Sequence, residues 1–97
     1  MGDLLHDIIA RCFTSCRENV LIADNETSMF RLNAGDLVDI YVENFFGSIY
    51  LNILNLTNGD AIMSDASEYK TDDVTIHKLI TKDDIEKIHI LIDMGGV

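Results

Sequence analysis

Proline is absent from this 97-residue chain, basic residues are few, and no long apolar run occurs. Seven Lys and Arg stand against 17 Asp and Glu, a formal net charge of −10. Such a chain repels phosphate backbones at long range unless its cations gather on one surface, which excludes a general nucleic-acid binder. No stretch approaches the roughly 20 apolar residues that cross a bilayer. The first residues also lack a basic start followed by an apolar run, so a cytoplasmic protein without a membrane partner is expected. Met1-Gly2 opens like a myristoylation signal, but His6 stands where Ser or Thr is required.

What remains is enough for one modest core. With 47% hydrophobic residues, residues 1–97 read as a single domain. Its first part, 1–18, carries a helix predicted over residues 3–17. Leu5, Ile8, Ile9, Cys12, Phe13 and Cys16 fall at three- and four-residue steps and form one apolar stripe, with Asp3 and Asp7 near the positive end of the helix and Arg17 near the negative end. Cys12 and Cys16 share a face in that helix, as half of a metal site would. His6, His77 and His89 are scattered, however, and two further ligands are lacking. A disulfide between the two would strain the helix. They are read as reduced thiols packed with Leu5 and Ile9, with no metal and no cofactor.

Residues 19–33 form a link, either a hairpin or one irregular strand, in which two apolar runs flank Asp24-Asn25-Glu26-Thr27. From 34 to 93 the pattern becomes five short strands, at 37–44, 48–56, 61–65, 74–80 and 87–92. Ala34-Gly35-Asp36 opens the first, and Asn58-Gly59 supplies the positive-φ pair of a tight hairpin, so the neighbours are antiparallel. Val38, Ile40 and Val42 alternate with Asp39, Tyr41 and Glu43. Ile49, Leu51 and Ile53 alternate with Tyr50, Asn52 and Asn55, with a bulge near Leu54. Val74, Ile76 and Lys78 alternate with Thr75, His77 and Leu79, and Ile88, Ile90 and Ile92 close the set. The expected fold is mainly β: an N-terminal helix followed by a small five-stranded antiparallel barrel.

This order, with Ile80-Thr81-Lys82-Asp83-Asp84-Ile85 leading into Lys87-Ile88-His89-Ile90, resembles the Sm/LSm group, to which bacterial Hfq belongs, over residues 37–92. Asn44 followed by Gly47 resembles the turn between the group's first two strands, and Ala66-Ser67-Glu68-Tyr69 the end of its third. The group's Arg-Gly pair and Asn in the last loop are replaced by Thr81-Lys82 and Asp84, and its Asp-x-x-Met-Asn signature is missing. Generic SH3-like barrels share several of these features. The resemblance implies a homo-oligomeric ring in which the fourth strand of one copy pairs with the fifth strand of the next. That places Val74, Ile76, Lys78, Ile88, Ile90 and Ile92 at the interface. It also implies single-stranded RNA contact through Asn55 and Asn58, whose amides would read a base edge, and through Lys82 beside Asp83, with Tyr50 and Tyr69 as stacking platforms.

The acidic residues are dispersed, and no Ser or Cys has an obvious base, so no enzyme is expected. The alternative is an acidic inhibitor or nucleic-acid mimic, of the kind phages and other mobile elements encode, that occupies a basic groove on a host protein. A mimic is expected to show Asp60, Asp65, Glu68, Asp72 and Asp73 as one exposed strip, whereas a ring keeps one pore face neutral or basic.

Overall fold

The computed structural model describes residues 3–13, 15–24, 29–65 and 75–94. Helix α1 (Asp3–Cys12) leads into a three-stranded antiparallel sheet of β1 (Ser15–Arg17), β2 (Val20–Asp24) and β3 (Met29–Asn33), in that order. Strands β4 (Leu37–Phe45), β5 (Ser48–Asn55), β6 (Ala61–Asp65) and β7 (Thr75–Leu79) form a four-stranded antiparallel sheet ordered β6-β5-β4-β7, and helix α2 (Lys82–Asp93) follows.

One core joins all of these elements. Leu5, Ile8, Ile9 and Ala10 of α1 are buried together with Leu21, Ala23, Phe30 and Leu32 of the smaller sheet. Val38, Ile40, Val42, Leu51 and Ile53 of the larger sheet, Ile80 just past β7, and Ile85 and Ile88 of α2 belong to the same cluster. Phe13, just past α1, meets Phe30 edge to face with ring centroids 5.3 Å apart. Burying each such side chain contributes about 1.5–3 kcal/mol, which the ordering of the chain largely offsets.

The mainly β class and the leading helix hold, but the five-stranded barrel does not. The described residues form seven strands in two open sheets, and the segment 87–92 is helical. Thr81 starts that helix with a capping box. Its hydroxyl accepts from the Asp84 backbone N–H at 3.1 Å, and the Asp84 carboxylate accepts from the Thr81 N–H at 3.0 Å. Ile85 and Ile88 then fall on one buried face. Backbone groups of residues 87–92 are bonded along the helix and offer no strand edge to another copy. Of the expected interface, Ile88 is 0% exposed in the core, while Ile90 is exposed and Ile92 partly buried. Ile76 and Lys78 lie on β7, whose described ladder is with β4. Val74 lies outside the described residues.

Helix α1 ends at Cys12, not at Arg17. Ser15, Cys16 and Arg17 pair instead with Ile22, Leu21 and Val20 across a two-residue turn in which Glu18 has φ 58°. Thr14 and Ser15 favour helices weakly, so a ladder to β2 displaces another helical turn. Cys16 therefore leaves the α1 stripe. The 19–33 link is the β2–β3 hairpin, in register from Val20↔Asn33 to Asp24↔Met29. No bulge interrupts β5, whose pairing with β4 runs unbroken from Val38↔Asn55 to Phe45↔Ser48. The tight positive-φ turn is Phe46-Gly47, with φ 53° and 85°, rather than Asn58-Gly59, where Gly59 alone is positive. Residues 56–59 form a longer loop, closed by Asn55 N–H to Asp60 carbonyl and Gly59 N–H to Asn55 carbonyl bonds, both 2.8 Å.

Candidate functional site

Asn55, the first of the expected RNA contacts, is a structural hub. Only 1% exposed, its amide donates to an Asp36 carboxylate oxygen at 2.7 Å and to the Arg31 carbonyl at 3.1 Å. Its oxygen accepts from the N–H groups of Thr57 and Asn58 at 2.9 and 3.2 Å. All four hydrogen-bonding positions of the amide are filled, which leaves none to read a base. Asn58 donates to the Arg31 carbonyl at 3.3 Å and accepts from the Asp60 N–H at 2.8 Å. Lys82 and Asp83 are exposed in the first turn of α2, on a different element, and Asp83 pairs with Lys87 at 3.1 Å. Of the expected acidic strip, Asp60 and Asp65 flank opposite ends of β6. Glu68, Asp72, Asp73 and the platform Tyr69 lie outside the described residues.

The outer face of the four-stranded sheet is chemically more distinctive. Strand alternation sends Val38, Ile40 and Val42 into the core and Asp39, Tyr41, Glu43 and Phe45 outward. Register then sets Tyr41 opposite Asn52, which faces Met63, and Glu43 opposite Tyr50, which faces Asp65. Among the described residues, the aromatic side chains outside the core are Tyr41, Phe45, Phe46 and Tyr50, all on the β4–β5 hairpin. Phe45 is 56% and Met63 57% exposed. Together with Glu43 and Tyr50 they line a groove of about 290 Å³. Residues 37–65 contain no Lys or Arg, but they include Asp39, Glu43, Asp60 and Asp65.

Phe46 stands at the tip. It is 92% exposed in the left-handed region at φ 53° and contacts Phe45 edge to face, centroids 4.4 Å apart. A bulky side chain is disfavoured in that conformation, and a two-residue hairpin with both central φ values positive prefers Asn-Gly. Glycine satisfies the second position, and Asn44 accepts from the Gly47 N–H at 3.1 Å. Phe46 thus departs from both turn chemistry and burial. Phe45, Phe46, Glu43 and Met63 were missed in the sequence because only strand register unites them. The available signal was a Phe-Phe pair just before Gly47, where a polar turn is expected.

A second polar cluster is buried. His6 donates through Nε2 to Asp84 at 2.9 Å, and Lys78 Nζ lies 3.0 Å from the other carboxylate oxygen. Burial pushes the Asp84 carboxyl up, but bonds from His6, the Thr81 backbone, Lys78 and the Thr81 hydroxyl outweigh it and hold the group well below the usual carboxylate range. Beside this cluster, His6, Asp7, Lys87, Ile90 and Leu91 line a groove of about 320 Å³ between the helices. The His6 nitrogen facing Asp84 is already engaged there. Cys12 Sγ lies 3.6 Å from Ser64 Oγ, and Cys16 donates to the Glu18 carbonyl at 3.3 Å. Both are free thiols, pushed up by burial and, for Cys16, also by the Asp93 charge. Neither has the depressed pKa of an activated nucleophile.

Comparison with protein-family models, curated proteins and solved structures finds no match to this chain.

Proposed function

We propose that the chain is a non-enzymatic, acidic protein-binding module that docks a basic partner protein on the outer face of β4, β5 and β6. The observation that carries this reading is the concentration of the exposed aromatics on a stretch free of Lys and Arg. Solvent-exposed aromatics in one patch favour an interface, since such residues anchor protein contacts. Aromatic faces also stack nucleobases, but phosphate-binding cations supply most of that affinity, and residues 37–65 hold none. A second copy brings the same sign of charge at −10 per chain, which opposes self-association through this face. An inhibitor that fills a basic groove on a host protein fits these properties.

Fluorescence anisotropy tests the reading with two labelled probes at low salt: a decapeptide of alternating Arg and Leu, and an oligouridylate of the same length. The peptide is expected to bind the wild type. A double Phe45→Ser, Tyr50→Ser variant, whose net charge is unchanged, should weaken it by about tenfold or more, the loss of one good anchor. Equal affinity in the variant would mean diffuse charge attraction and defeat the proposal. So would tighter binding of the oligonucleotide that Lys82→Glu abolishes.

A further inference from the structure

We infer that the groove formed by Glu43, Phe45, Tyr50 and Met63 is a socket for one arginine side chain of the partner protein. This rests on the outer face being the docking surface and specifies what that surface recognises.

Size comes first. At about 290 Å³ the groove lies at the small end of ligand-binding clefts, which run from about 300 to 1,000 Å³, and it has room for one long side chain. Its lining is two aromatic rings, a thioether and one carboxylate. The aromatic faces attract a cation, and the carboxylate gives it a charged partner. Glu43 is already oriented, because Oε1 accepts from the Asn52 amide at 3.3 Å, and its other oxygen has no described bond within the sheet. A purely apolar occupant would desolvate that carboxylate without compensation.

The three strands around the groove carry no Lys or Arg of their own, so no cation on them competes with one brought by the partner. Arginine fits better than lysine: its planar guanidinium stacks on aromatic rings, is weakly hydrated, and presents a donor fork to a carboxylate. Phe46, braced against Phe45, extends the apolar wall at the tip, where the neighbouring part of the partner would lie.

The test is an NMR titration of the ¹⁵N-labelled full chain with pentapeptides of sequence Gly-Leu-Xaa-Leu-Gly, blocked at both ends, where Xaa is Arg, Lys or citrulline. Citrulline keeps the shape of arginine and lacks the charge. The Arg peptide is expected to shift the amides of Glu43, Phe45, Tyr50 and Met63 and to bind about tenfold more tightly than the citrulline peptide, with Lys between. Glu43→Gln, an exposed substitution that leaves the fold intact, should bring the Arg peptide to the citrulline level. Equal binding of the three peptides at this face, still lost in the Phe45→Ser, Tyr50→Ser variant, would overturn the arginine socket and leave the docking face standing. Shifts confined to other acidic positions, such as Asp83 and Asp93, or no shifts at all, would overturn both.

Discussion

His6 and Asp84 lie 78 residues apart in the chain, yet the His6 Nε2–H donates to an Asp84 carboxylate oxygen at 2.9 Å in the buried contact between α1 and α2. The same carboxylate completes the capping box of α2 and meets Lys78 of β7. One side chain therefore ties together three elements. Three hydrogen-bonding partners offset the cost of burying its charge.

Removing His6 should expose that dependence. His6→Ala leaves Asp84 buried with one partner fewer and opens a small void, and we predict a loss of about 1–3 kcal/mol. Urea denaturation followed by circular dichroism measures it. A loss below about 0.5 kcal/mol, the range of an ordinary surface change, would show that the pair does not hold the helices together.

Asp84 also sets a pH dependence. Its folded pKa is depressed, so its contribution is complete above the unfolded carboxylate value of about 3.9 and is lost as pH falls through the lower folded value. The stability difference between wild type and Asp84→Asn is predicted to be constant above about pH 5 and to shrink below about pH 4. Denaturation series at stepped pH would show this. A difference that grows on acidification contradicts the assigned direction.

Thr81 tests whether residues 82–93 are helix or strand. As N-cap its hydroxyl satisfies the Asp84 N–H, so Thr81→Ala should cost about 1 kcal/mol and reduce the helical signal in far-ultraviolet circular dichroism. Thr81→Asp should restore most of the loss. If α2 were the last strand of a barrel, neither substitution would move the helical signal.

Period-2 patterns were the most legible part of the sequence. Val38, Ile40 and Val42 face inward as alternation requires, and β4 to β7 begin and end within about two residues of the expected positions, the usual uncertainty of element boundaries. Ile88, Ile90 and Ile92 misled because alternation of β-branched residues also reads as a strand. The competing pattern was present: Thr81-x-x-Asp84 is a capping-box signature, and Ile85, Ile88 and Ile92 recur at three and four residues. Local spacing presents Asn55 as a ligand-facing amide, because the distant partners it satisfies, the Arg31 carbonyl and the Asp36 carboxylate, are invisible there. The outer groove was hidden for the same reason, since Met63 reaches the β4–β5 face only through the β5–β6 register, in which it lies opposite Asn52 and one outward position from Tyr50.

Phe46 occupies a left-handed turn position that favours Asn and stands exposed beside the docking face, so one substitution there reads both stability and binding. Phe46→Asn places the preferred residue in the left-handed turn position and removes an exposed ring from the face. Unfolding free energy and affinity for the Arg-Leu decapeptide would be measured on the same preparation. We predict a stability gain of about 1 kcal/mol together with a loss of affinity of about fivefold or more. A variant that gains stability and binds the peptide as tightly as the wild type would rule out docking through this end of the face.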